Sequence, residues 1–162
     1  MDFWVFRNDE VSARIEIMNP KPHTPDSDFS ADAETWLQWA EQTYAGARVL
    51  FNNGNPSVWL PAAFLGHQAL EMFLKAALIK QSRGAVKGDV WGHYLVDLVS
   101  ELAKTGFNFP PGFVDDLQTF NNFFEELRFP GPARKVQELG SMEGVLLDYL
   151  VKVLRPAIKQ DS

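Results

Sequence analysis

The sequence predicts an all-α protein, an antiparallel up-and-down bundle of about five helices with a short β-hairpin at its N-terminus. Three observations lead there. From Ala33 onward, apolar residues recur at three- and four-residue intervals in five blocks, separated by clusters of Pro, Gly and Asn. One block, Ala62 to Gln81, is apolar on nearly every side, as befits a helix enclosed by others. Alternation of period two falls in the first eighteen residues, where Val11, Ala13, Ile15 and Ile17 alternate with Ser12, Arg14 and Glu16.

The hairpin spans Phe3 to Met18, with Asn8 and Asp9 as turn residues. A lone hairpin is marginal in water, so its apolar face must pack on the helices or on another chain. Pro20, Pro22 and Pro25 then form an extended connector. The expected organisation is therefore residues 1–28 as hairpin and connector, and 29–162 as the helical domain.

Ser30 is the expected N-cap of the first helix, with Asp32 and Glu34 suiting the dipole of its first turn. Trp36, Trp39, Ala40, Thr43, Tyr44, Ala47, Leu50 and Phe51 form its wide apolar stripe, and Asn53-Gly54-Asn55 ends it. Pro61 stands at the entrance of the central helix, where its missing N–H does no harm. The third helix is expected from about His93 to Thr105, with Leu95, Leu98, Val99 and Leu102 inward and Gly106 just past its end. Pro110, Pro111 and Gly112 precede a fourth, whose seam is Phe113, Leu117, Phe120, Phe124 and Leu127. Ser141 is the expected cap of a fifth, with Leu146, Tyr149, Leu150, Val153 and Leu154 inward. The aromatic load of the first and fourth helices serves packing, or marks a surface shared with a second subunit.

Composition narrows the function classes. At 162 residues the chain is long enough for one domain with a real core, and its 46% hydrophobic content argues against disorder. Cysteine is absent, so disulfides and thiolate metal sites are excluded, and a reducing cytoplasm is the expected location. Asp2, Arg7, Asp9 and Glu10 interrupt the start of the chain, which predicts no signal peptide. No apolar run approaches the roughly 18 residues of a membrane span, so no membrane association is expected. The net charge of −6, without a block of Lys or Arg, argues against non-specific binding to nucleic acid but leaves room for a local basic patch at a dimer cleft.

One polar line interrupts the central helix: His67, Glu71 and Lys75, with Gln68 beside them. Spaced at i, i+4 and i+8, they drift by only about 80° around the axis and share one face. Glu71 four residues before Lys75 is the favourable orientation for a helical ion pair, which contributes roughly 0.2–0.5 kcal/mol when exposed. That is too little to account for three ionisable groups on an apolar helix. Either the line is a buried structural ion pair that holds helices in register, or it lines a groove for an anion or nucleotide. His93 caps the third helix, pairs with Glu71, or contributes to that groove. Arg128 suits the dipole at the end of the fourth helix, and its guanidinium fork can reach a carboxylate such as Glu71. His67 and His93 lack metal-site spacing and a third ligand, so no metal and no cofactor are expected. Glycine-rich phosphate loops and the G-x-S-x-G elbow are absent.

These pieces resemble a HEPN domain, the helical module of prokaryotic toxin–antitoxin and nucleotidyltransferase-associated systems. The resemblance runs from about Ala33 to Pro130. It rests on WLQWAEQTYAGARVL, AFLGHQALEMFLKAALI, the His93-Tyr94-Leu95-x-x-Leu98 start and Leu127-Arg128-Phe129-Pro130. Gln68, Ala69, Glu71, Leu74, Lys75 and Ala76 match the family's Q-A-x-E-K-x-L-K-A pattern, with Met72 where a lysine is common, and Phe129 replaces the tyrosine of R-Y-P.

The resemblance implies an all-α homodimer with a cleft between subunits. Many relatives are metal-independent ribonucleases with an Arg-x(4–6)-His motif. Here Ala133, Arg134 and Lys135 occupy the positions where that histidine would fall. No catalytic residue is therefore assigned, and the general acid–base group of the nuclease is missing. The expectation is a non-catalytic, homodimeric binding module that binds nucleotide or RNA, or partners a nucleotidyltransferase, with His67, Glu71, Lys75, His93 and Arg128 as ligand-binding candidates. The alternatives are a degenerate ribonuclease using His67 or His93, and a purely structural interaction protein.

Overall fold

The computed structural model describes residues 32–82, 93–127 and 140–159. The expected hairpin and proline connector lie outside the described residues. Helix α1 spans Ala33–Asn52. Its N-cap is Asp32 rather than the expected Ser30: the carboxylate accepts the Thr35 N–H at 2.7 Å. The same hydrogen bond holds Asp32 below the usual carboxylate pKa.

A short 3₁₀ turn, Pro56–Val58, leads into α2, Trp59–Gln81. Asn55 caps the turn, accepting the Ser57 N–H at 3.0 Å. Pro61 is the third residue of α2, still within the first turn, where no intrahelical N–H bond is lost. Helix α3, Leu95–Lys104, starts two residues later than the apolar pattern implies. The Leu95 N–H is taken by the Asn121 side chain at 2.9 Å, so the neighbouring helix fixes the start. Gly106 takes the expected position past the end, with φ +93°.

Helix α4 is Phe113–Leu127 and α5 is Ser141–Lys159. Ser141 is the first residue of α5 and not its cap. Instead Glu143 reaches back to accept the Gly140 N–H at 2.7 Å, half of a capping box. Pro156 lies inside α5, one turn from its end.

Helix α2 touches all four other helices, as its all-round apolar surface requires. Ala62, Ala69, Leu70, Phe73, Leu74 and Ala77 are completely buried. Helix α1 packs antiparallel on it, with Gly46 against Leu65, the Thr43 hydroxyl at Met72, and Trp36 over Lys75. Helix α5 runs antiparallel to α1, since Glu41 meets Arg155 while Phe51 meets Gly144. It therefore runs along α2 rather than against it, with Leu147 near Gly66 and Ala157 near Gln81. In a strict five-helix alternation α1 and α5 would point the same way. The 10-residue α3, about 15 Å long, is too short to serve as a full member of such a series.

Two inward faces differ from expectation. On α5 the buried side chains are Leu147, Leu150, Val151, Leu154, Ala157 and Ile158, while Tyr149 is 36% exposed. Gly144 turns its backbone closely against α1, where a Cβ would stand 3.1 Å from the Phe51 Cβ. Trp39 is 59% exposed, because the α1 contact line runs through Ala40 and Ala47, about 100° away around the axis. The inward faces of α3 and the described part of α4 are those expected: Leu95, Leu98, Val99, Leu102, Phe113, Leu117 and Phe120 are buried.

The stretch Pro56–Gln81 is long and apolar enough to cross a membrane by length and composition, contrary to the count of apolar runs above. Its most apolar part is 72% buried inside the bundle, which accounts for its composition without a bilayer.

Candidate functional site

The polar line on α2 is sealed along most of its length. Lys75 is 6% exposed, and its ammonium lies 2.5 Å from Glu71 Oε1. The Trp36 ring of α1 covers it at 5.5 Å, adding a cation–π contact. Glu71, 12% exposed, also receives His93: Nδ1 of that ring lies 3.1 Å from Oε1 and 3.2 Å from Oε2. An ionised carboxylate only accepts hydrogen bonds, so the proton of this contact sits on Nδ1. One carboxylate thus joins a buried ammonium on its own helix to an imidazole just before α3.

His67, one turn before Glu71, is 2% exposed. Burial pushes its pKa down to about 4, against the nearby Glu71 charge and a hydrogen bond from the ring to the His93 backbone carbonyl, both of which favour the cation. The ring is neutral at pH 7 and has no route to donate a proton to a substrate. His93 is the opposite case, with 63% of its side chain exposed.

Of the five expected site residues, the fold brings four together, His67, Glu71, Lys75 and His93. Arg128 lies outside the described residues. Chemically the corner is a fixed carboxylate, neutralised from inside by Lys75, that holds one solvent-facing imidazole. Among the described residues no three His, Asp or Glu side chains gather as metal ligands would.

Sequence reasoning missed two supports of this corner. Trp36 was read only as core, yet it shields the Lys75 ammonium. Asn121, 5% exposed, ties α4 to α3 two residues after His93. No spacing rule links position 121 to position 95.

A second polar cluster, between α1 and α5, was also missed. Arg155 forms a bidentate pair with Glu41 at 2.8 and 2.7 Å, and its guanidinium lies 5.3 Å from the Tyr44 ring. The Tyr44 hydroxyl donates to Asp148 at 2.5 Å, and Arg48 reaches the same carboxylate at 2.7 Å. Partial burial, then the Asp148 contact, raises the Tyr44 pKa. A faint signal existed: Glu41, Tyr44 and Arg48 share one line of α1, and Asp148 and Arg155 share one of α5. All the charges in this cluster are matched, which makes it a clamp between the two helices.

Fold and corner together define a class: a small all-helical module whose ionisable groups are organised around its central helix. The chain belongs to the HEPN domain family, whose model matches residues 33–143. The matched span takes in α1 to α4 and ends three residues into α5. No curated protein and no solved structure matches the chain.

Proposed function

We propose that this chain is a non-catalytic, homodimeric HEPN module that binds nucleotide or RNA at the corner where Glu71 presents His93, or partners a nucleotidyltransferase in a toxin–antitoxin-type system. One observation carries the reading. All three histidines, His23, His67 and His93, precede Arg128, so the Arg-x(4–6)-His pattern of the nuclease relatives is missing. His67 is buried and neutral, so it is no substitute base; His93, its Nδ1 held by Glu71 and its ring open to solvent, is the one described histidine in a position to act, and the cleavage assay below decides whether it does. What the corner retains suits binding. An exposed imidazole held by Nδ1 is preorganised to meet an acidic or hydrogen-bonding ligand group.

Calorimetry of the full chain with a panel of nucleotides and a short single-stranded RNA tests this proposal. Binding that is lost in His93→Ala and in Arg128→Ala, with RNA left intact, is the expected result. No heat with any ligand, together with an unchanged melting temperature, would remove the groove from consideration. RNA cleavage that disappears in His93→Ala but survives in His67→Ala would make the chain an enzyme instead. The dimer is tested separately by light scattering at tens of micromolar, about 10⁻⁵ M, where an interface of ordinary size holds.

A further inference from the structure

A surface remote from the His93 corner in sequence has no role in that reading. On α5, Met142, Val145 and Tyr149 are 71%, 59% and 36% exposed. Lys152, Pro156 and Lys159 continue the line, all exposed. The intervals alternate three, four, three, four, three, the register in which one helix lies along another. The opposite face of α5 is spent on the core through Leu147, Leu150 and Leu154. Nearly all of this line lies beyond the part of the chain that matches the family.

Charge distinguishes the two halves of the line. The carboxylates on α5 are committed, Glu143 to the Gly140 N–H and Asp148 to Tyr44 and Arg48. Lys152 and Lys159 have no ion-pair partner among the described residues. The line is therefore apolar in its first half and cationic in its second, on a chain of net charge −6. A second copy of α5 would bring no uncommitted carboxylate to the two lysines. Three apolar side chains also fall well short of the roughly 800 Å² that each partner gives to a standard interface. A single amphipathic helix is recognised through a few apolar anchors at i, i+3, i+4 and i+7 spacing.

We infer that this face of α5 docks an acidic amphipathic helix of another protein. Its apolar residues at heptad spacing cover Met142, Val145 and Tyr149, and its Asp or Glu residues meet Lys152 and Lys159. The inference is independent of the nucleotide corner, and its test leaves His93 and Arg128 untouched.

The probe is a fluorescein-labelled synthetic helix with Leu at heptad spacing and Glu along one half, compared with the same peptide carrying Lys for Glu. Fluorescence anisotropy against the full chain reads the binding. The Glu peptide is expected to bind and to weaken with added salt, while the Lys peptide binds at least about tenfold more weakly. Val145→Glu should abolish binding, and Lys152→Glu with Lys159→Glu should reverse the preference between peptides. These positions are exposed, so unchanged thermal melting of each variant verifies that the fold is kept. Equal binding of both peptides, or binding indifferent to Val145→Glu, would overturn the inference. So would a doubled mass of the chain alone that Val145→Glu returns to the monomer, which assigns the face to a second copy. Co-sedimentation with anionic phospholipid vesicles that is lost in the Lys152→Glu, Lys159→Glu variant would assign it to a membrane surface and equally overturn it.

Discussion

The Glu71 carboxylate stands 2.5 Å from the Lys75 ammonium, one turn along the same helix, with both groups almost out of solvent. In water such a pair contributes little, but here each charge is the main reason the other can be buried. Glu71→Gln should therefore destabilise the protein by about 3–5 kcal/mol by leaving Lys75 without its counter-charge. Glu71→Leu combined with Lys75→Met should recover most of that loss, because it removes both desolvation costs. Urea denaturation of the three proteins measures both effects. A loss below about 1 kcal/mol in the single variant would mean that the ammonium reaches water.

His67 makes stability depend on acid. Its folded pKa, about 4, lies below the ordinary 6.5 because burial disfavours the cation. Between these values the unfolded chain binds the proton and the folded one does not, so stability rises with pH in this window. The contribution is complete above about pH 6.5 and lost on falling to about pH 4, with a total of about 3 kcal/mol. His67→Gln removes this titration. The stability gap between variant and wild type, measured by denaturation at several pH values from 7 to 4, should shrink as pH falls.

Gly66 is where α2 meets α4. A Cβ at this position would stand 2.6 Å from Cε1 of Phe120, a ring that is completely buried. Gly66→Ala gains about 1 kcal/mol of helix propensity but forces a rigid ring to shift, for which overpacking costs of about 1–3 kcal/mol are typical. A net loss of melting temperature is expected, and Phe120→Leu in the same chain should relieve part of it.

Asn121 should matter more to α3 than its hydrogen bond to the Leu95 N–H suggests. Asn121→Ala strands the Leu95 N–H in a buried setting, at about 1–3 kcal/mol. Because His93 lies two residues away, the variant should also weaken the His93–Glu71 contact. Hydrogen exchange at the first amides of α3 should rise more than exchange at its last turn.

Much of this was legible in the chain. The all-round apolar surface of Ala62 to Gln81 required a central helix, because a helix with no polar face has to be enclosed. The spacing of His67, Glu71 and Lys75 placed them on one line, since 3.6 residues make a turn. The pairing of His93 with Glu71 was one of three roles the chain left open to it, and the packing of the helices selected that one. Local rules were weaker at the helix ends, where Asp32 took the cap expected of Ser30 and Ser141 became the first helical residue, with Glu143 reaching back to the Gly140 N–H. Several neighbouring residues can satisfy the same first-turn N–H groups, and the rest of the fold selects among them.

The sequence by itself determined which segments are helical, which one is central, and that its polar line is shared by an acid and a base. Only the tertiary structure decided what the line is for the bundle. Trp36 seals Lys75 from another helix, Asn121 fixes the start of α3 from a third, and Glu41, Tyr44 and Arg48 close on Asp148 and Arg155 a hundred or more residues on. Periodicity records which side of a helix is apolar, whereas burial depends on which neighbour covers that side. Lys75, a surface residue by composition, is therefore buried, and Trp39, a core residue by composition, is exposed.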